Sequence, residues 1–250
     1  MVRPADMPIF SVVIPTLNEA PWIARTLAHV RRKYSYELLE IIVSDGGSTD
    51  STVTEIPAGV RLVTGARGRG RAAQMNLGAA HARGRILLFC HADTLLPNGW
   101  AEAVERALHQ PGVVGGGFQP CFEPMRGITL RLLNWPRPLQ YPAHWLLFYG
   151  DQVLFCLRPA FEQAGGFPDQ PIMEDLEFAR SLSQIGRLVR LPCRVRTSSR
   201  RFLERGPLRL QLANINWVVR YACFNASPVE IAAAYREAGA MPARSARRRR

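Results

Sequence analysis

Three places in this chain bring together residue types that could do chemistry. His91 and Asp93 stand two residues apart, directly after the run Arg85-Ile86-Leu87-Leu88-Phe89-Cys90. An imidazole and a carboxylate both bind metal ions, and the carboxylate suits hard cations such as magnesium or manganese. Asp and Thr also cap helices, so a plain polar turn explains His91-Ala92-Asp93-Thr94 as well. Glu174-Asp175 follows Met173 and opens a segment of helical periodicity. Acidic residues are favoured at a helix start by the dipole. The same carboxylates could act as a general base on an attacking hydroxyl. The third place is Gly65-Ala66-Arg67-Gly68-Arg69-Gly70-Arg71, whose amides and guanidinium groups could grip phosphate oxygens. It lacks the Gly-Lys-Ser/Thr ending of a P-loop and the glycine spacing of a dinucleotide fingerprint. A flexible loop binding RNA without sequence preference is its other reading.

The elements that must position these groups follow from periodicity. Ile9–Ile14 is a β-branched run ended by Pro15, and Glu40–Ser44, Val60–Thr64 and Arg85–Phe89 read as further strands. Helical spacing recurs over 20–32 and 72–83, and Pro97 suits the first turn of a helix reaching about His109. Ser48 or Thr49 is placed to cap a short helix with Asp50 in its first turn. Strand and helix thus alternate four times, which implies a parallel sheet with right-handed crossovers and helices on both faces. In such sheets ligands bind beyond the carboxyl ends of the strands. The polar clusters 16–19, 45–50, 67–71 and 91–93 all fall there.

The second half is less regular. Val113–Phe122 predicts a strand behind the site, and 125–149 either a pair of short helices or a lid over an apolar acceptor. A short apolar run spans 153–157, Gly165–Pro168 makes a turn, and a helix runs from 173 to near Gly186. Strands are expected at 188–191 and 194–197, and an amphipathic helix at 208–224. The residues beyond Ala238 read as a solvated Arg-rich tail.

The chain has 250 residues, 47% of them hydrophobic, enough for a substantial core. The net charge is +12, and Lys33 is its only lysine. Five of the last seven residues are arginines, and without them the remainder still carries +7. That balance fits an anionic partner: phosphate esters, acidic lipid or nucleic acid. The five cysteines stand at least 30 residues apart, outside metal-ligand or redox spacing, and are expected to be reduced. Met1–Pro8 holds no apolar signal region, and no stretch of 18 apolar residues occurs. The expectation is a cytoplasmic protein, with peripheral contact at an anionic inner membrane face as a compatible addition.

Together the motifs resemble a family 2 glycosyltransferase of the GT-A fold. The residues that carry the resemblance are Val13-Ile14-Pro15-Thr16-Leu17-Asn18-Glu19, Val43-Ser44-Asp45-Gly46-Gly47-Ser48-Thr49-Asp50, Arg67-Gly68-Arg69-Gly70 with Gln74-Met75-Asn76, His91-Ala92-Asp93 and Met173-Glu174-Asp175. They occur in family order across roughly residues 8 to 200. The Asp-Gly-Gly-Ser-Thr-Asp and His-Ala-Asp motifs are similar to those of short transferases labelled as arsenosugar-biosynthesis enzymes. The resemblance implies an α/β, GT-A (Rossmann-like), mostly parallel central sheet flanked by helices. It implies one domain over 8–225, with a nucleotide-sugar-binding half at 8–110, an irregular acceptor half at 111–225, and the tail at 239–250. Pro15, Thr16, Asn18 and Glu19 would line the nucleoside pocket, and Asp45 would hold the base or ribose. Arg67 and Arg71 would face the diphosphate, with Gln74, Asn76 and Ala92 among the donor-binding residues. Asp93 would bind the bridging divalent metal, Mn2+ or Mg2+, with His91 beside it. Asp175 would be the base of an inverting displacement, and Glu174 would support the acceptor.

The resemblance thus implies a hexosyltransferase-like enzyme. It would use a UDP- or GDP-sugar and a small or lipid-like hydroxyl acceptor. Three departures stand out. His91 replaces the first carboxylate of the usual Asp-x-Asp, and Gly46 replaces the second Asp of the common pair. The Gln-x-x-Arg-Trp signature of processive synthases is missing, with Arg200-Arg201-Phe202 a loose stand-in, which favours transfer of a single sugar. A nucleotidyltransferase, or a basic module binding membrane or nucleic acid, is the alternative class; nucleic acid is not favoured.

Overall fold

A computed structural model describes residues 9–31, 38–66, 68, 70–134 and 145–237. Arg67, the tail at 239–250 and part of the 125–149 region lie outside the described residues. The elements run β1 Phe10–Thr16, α1 Ala20–Arg31, β2 Leu39–Asp45, β3 Arg61–Thr64, α2 Arg71–Ala80, β4 Ile86–Phe89, β5 Thr94–Leu95 and α3 Trp100–Leu108. They continue with β6 Val113–Glu123, α4 Gly127–Leu133, β7 Leu154–Leu157, α5 Arg158–Gln163, α6 Glu174–Ile185, β8 Arg187–Ser198, α7 Arg200–Arg205, α8 Pro207–Phe224 and α9 Pro228–Glu237.

The strands form one mixed sheet in the order β3-β2-β1-β4-β7-β6-β8-β5. β3, β2, β1 and β4 are mutually parallel, as expected of βαβ units. The second half inserts β7 antiparallel between β4 and β6, and β8 then lies parallel to β6. Every residue of β1 and β4 is buried. Their side chains alternate between two cores, as the two-residue strand period requires. Phe10, Val12, Ile14 and Leu88 face the core built with α1 and α3. Val13, Leu87 and Phe89 face the core built with α2, α5 and α6. A third cluster joins Leu130 of α4, Leu176 of α6, Phe202 of α7, Trp217 of α8 and Ile231 of α9.

Four local expectations differ from the structure. No helix separates β2 from β3, so the strand–helix alternation skips one turn. The expected cap at Ser48 or Thr49 is not formed, because those side chains tie the ends of β1 and β2 together instead. Pro97 does not start a helix. β5 pairs with Thr197 and Arg196 of β8 and carries the chain outward first, so α3 begins at Trp100 after Gly99. The two strands expected around Pro192 are one strand, β8. Its partner β6 shifts register between Gly117 and Gln119, which absorbs the proline that cannot donate to a ladder. Glycine makes this crossing possible: a Cβ on Gly116 would stand 2.0 Å from the Val189 carbonyl oxygen.

Candidate active site

The groups singled out by sequence gather beyond the carboxyl ends of β1, β2 and β4. The first group is a tied loop. Asp45, buried at the end of β2, accepts hydrogen bonds from the Gly47 and Ser48 amides at 2.8 Å. It also accepts from the Ser48 hydroxyl at 2.5 Å and the Thr16 hydroxyl at 3.1 Å. Across the gap, Asn18 Oδ1 accepts from the Thr49 amide at 2.8 Å, and the Glu19 amide donates to Thr52 Oγ1 at 2.8 Å. Gln74 is buried beneath this loop and donates to the Thr16 carbonyl at 2.5 Å. Gly46 has a spatial reason, since a Cβ there would lie 2.4 Å from Gln74 Nε2. Asn76 grips the Phe167 backbone in both directions, at 2.7 and 2.9 Å. Ala92 is buried and its carbonyl accepts from Thr26. Pro15 is buried within β1. Gln74 and Asn76 therefore hold backbone in this structure, and the backbone of Ala92 is itself held by Thr26.

The second group surrounds a cavity of about 10 Å³, room for one water, lined by Arg71, His91, Gly150, Glu174 and Asp175 among others. Arg71 Nε donates to the buried Glu174 carboxylate at 2.7 Å, and its NH1 lies 3.2 Å from His91 Nε2. A guanidinium has only donors, so Nε2 is the acceptor and the imidazole proton sits on Nδ1. His91 Nδ1 lies 3.7 Å from Asp151. Burial, then the charges of Arg71 and Arg201, hold the His91 pKa well below its ordinary value, so the ring is neutral. Asp175 accepts from the Gly150 amide at 2.5 Å and the Leu176 amide at 2.8 Å. Burial and the neighbouring Glu174 charge raise the Asp175 pKa against the pull of Arg71.

The third group links β4 to α7. Arg200 NH2 contacts both Glu19 carboxylate oxygens, at 2.9 and 3.2 Å, and lies 3.9 Å from Asp93. Burial, then the charges of Asp151 and Glu19, push the Asp93 pKa up to about 6. Among the described residues, no group of three or more His, Cys, Asp and Glu side chains is arranged to hold a metal ion.

Backbone strain borders these groups. Asn18, Val153 and Met173 have φ of 57°, 51° and 64°, a left-handed region that side chains rarely adopt. Such residues cost on the order of 1–3 kcal/mol each and persist where the surroundings over-determine them. Val153 and Met173 are buried, in separate core clusters. They turn the chain so that Gly150 and Asp175 meet.

Residues 11–160 match the family model described as Glycosyl transferase family 2. The chain belongs to that family. This transferase is 36% identical over 199 residues to an uncharacterized glycosyltransferase of Mycobacterium tuberculosis, covering 74% of this chain and 73% of that one. It is 24% identical over 142 residues to an uncharacterized glycosyltransferase of Haemophilus influenzae, covering 54% of this chain and 56% of the relative. Among solved structures it is similar to a mannosyltransferase from Pyrobaculum calidifontis in complex with GDP-Man and Mn2+. The TM-score is 0.66 at 23% identity, over 94% of this chain and 69% of that one. TarS of S. aureus matches with a TM-score of 0.60 at 16% identity, over 92% of this chain and 71% of that one. These likenesses show the fold of GT-A glycosyltransferases.

The transferase's site also contains residues to which sequence reading assigned no role. Gly150 and Asp151 sit in a single helical turn before β7. Arg200 appeared only as a loose stand-in for a missing signature, 181 residues from its partner Glu19.

Proposed function

We propose that this transferase moves one hexose from a UDP- or GDP-linked donor to a hydroxyl acceptor, in a single displacement that inverts the anomeric carbon. The observation that carries this reading is the Asp175 carboxylate. It is fixed by two backbone amides, raised in pKa, and set on a cavity wall with Arg71 and His91. Asp175 takes the proton of the acceptor hydroxyl. The hydroxyl oxygen bonds to the anomeric carbon, the bond to the diphosphate oxygen breaks, and the nucleoside diphosphate leaves with the electron pair. Glu174 fixes the Arg71 guanidinium, which favours charge building on the diphosphate side. The tied loop of Thr16, Asn18 and Asp45 shapes the nucleoside pocket, with Asp45 acting through the turn it closes.

Asp93 fits a divalent cation. Its carboxylate, in the field of Asp151 and Glu19 and 3.9 Å from the Arg200 guanidinium, would supply the oxygen ligand that magnesium or manganese prefers. His91 fits less well as a ligand, because its Nε2 faces the Arg71 cation and its Nδ1 faces Asp151. The metal would neutralise the departing diphosphate. Neutral His91 would position Arg71 and Asp151.

The test is a thermal-shift screen of nucleotide sugars with and without manganese, followed by product analysis. We expect a UDP- or GDP-sugar to raise the melting temperature with manganese present, and turnover to release the nucleoside diphosphate. Pyrophosphate released from a nucleoside triphosphate would instead establish nucleotidyl transfer.

A further inference from the structure

α8 has two apolar faces. Leu210 and Trp217 point into the third core. Leu208, Leu212, Ile215 and Val219 recur at four, three and four residues, which places them on the opposite face. They are 60%, 59%, 50% and 41% exposed. α4 packs against α8 and adds Ile128 and Leu132, 69% and 62% exposed. Single exposed apolar residues are ordinary, but a continuous stripe along an 18-residue helix is not.

The charges on these two helices are of one sign. Arg126 and Arg131 at α4 and Arg209 and Arg220 on α8 are exposed, and neither helix contains Asp or Glu. A second copy of this face would set arginines against arginines, so the charge opposes self-association. An amphipathic helix with Leu, Ile and Val on one face and arginines beside it suits the headgroup boundary of an acidic bilayer. Among the described residues no helix is long and apolar enough to cross a membrane, so the contact is one of lying on the surface.

We infer that the outer face of α4 and α8 docks this protein on an anionic lipid bilayer. The inner side of α8 reaches α6, where Tyr221 donates to Glu177, two residues after Asp175, at 2.8 Å. The inference does not depend on the proposed sugar transfer.

The test is flotation of the full-length chain with vesicles of phosphatidylcholine alone and of phosphatidylcholine with phosphatidylglycerol. The wild type is expected to float with the phosphatidylglycerol vesicles, and less so as salt rises. The Leu212→Glu/Ile215→Glu variant should lose about tenfold or more in bound fraction, with its unfolding midpoint kept. The Arg209→Glu/Arg220→Glu variant should weaken binding to acidic vesicles at low salt, and it tests the face even if the first variant fails to fold. Three results would overturn the inference. One is a wild type that ignores acidic vesicles. Another is a folded Leu212→Glu/Ile215→Glu variant that floats unchanged, which would assign the lipid contact elsewhere, such as the Arg-rich tail. The third is a wild-type dimer that this variant converts to monomer, which would make a second copy the occupant.

Discussion

Arg71 and Glu174 are joined by a 2.7 Å hydrogen-bonded ion pair that ties the first residue of α2 to the first residue of α6. Glu174 is almost fully buried while Arg71 is about one-third exposed, so the two partners are not equivalent. Removing the arginine strands a buried carboxylate, whereas removing the carboxylate leaves a cation that can reach water. Arg71→Met should therefore cost about 1–3 kcal/mol, and Glu174→Gln less. Urea unfolding of the two single variants and the double variant checks this; equal losses in both singles would contradict the asymmetry.

Asp175→Asn should keep donor affinity and lower the transfer rate by about 10²–10⁴-fold, the usual contribution of a positioned base. Calorimetric titration with the donor, set beside single-turnover rates, separates the two effects. Donor affinity lost in step with rate would remove Asp175 from the base role.

The raised Asp175 pKa fixes the direction of two pH effects. The base must be ionised, so the rate should fall as pH drops through the folded pKa, above the ordinary carboxylate value of about 4. Stability runs the other way. A folded pKa above the unfolded one means that Asp175 favours the fold most below the unfolded pKa, and that this contribution is lost as pH rises through the folded pKa. Asp175→Asn should thus be more stable than wild type at neutral pH, with the advantage gone in acid. Melting curves across pH of both proteins test the sign.

Gly150→Ala should reduce transfer without unfolding the protein. A Cβ there would stand 2.9 Å from His91 Nε2 and 3.3 Å from Asp175 Oδ2. Both neighbours are side-chain atoms that can give way, so the cost falls on the geometry of the site. We expect at least about a tenfold loss in rate, since misplacing reacting groups by an ångström can cost 10²-fold, with an almost unchanged melting temperature.

Asp93→Ala should abolish the part of donor affinity that manganese supplies and leave the metal-free affinity unchanged. Titration of the donor with manganese and with chelator measures both parts. A wild type that binds donor equally in both conditions would end the bridging-metal role.

The parallel half of the sheet was legible because β1 and β4 are buried on both faces and so read as unbroken apolar runs. The placement of Thr16, Asp45, His91 and Asp93 followed from it, as residues at strand ends. What escaped depends on partners far along the chain. Arg200 meets Glu19 across 181 residues, and no local pattern marks that pair. Pro97 reads as a helix start because the pairing of β5 with β8 is invisible at that point in the chain. Ser48 has the residue type of a cap, and its hydroxyl is consumed instead by Asp45. The left-handed turns at Val153 and Met173 contradict the preferences of their side chains and are held by core packing together with backbone hydrogen bonds to Gly150 and Glu177.

The strand order also bears on how such a chain can be divided. β7 sits between β4 and β6, and β5 pairs with β8, so the hydrogen bonds of the first half are completed by the second. A cut near residue 110 would leave β4 with a bare edge and β5 without a partner. Unpaired edges template aggregation. A chimera that swaps everything after that point must therefore inherit matched strand edges. Diversification of this scaffold is easier by exchanging α4, α8 and α9, which contribute no strand to the sheet.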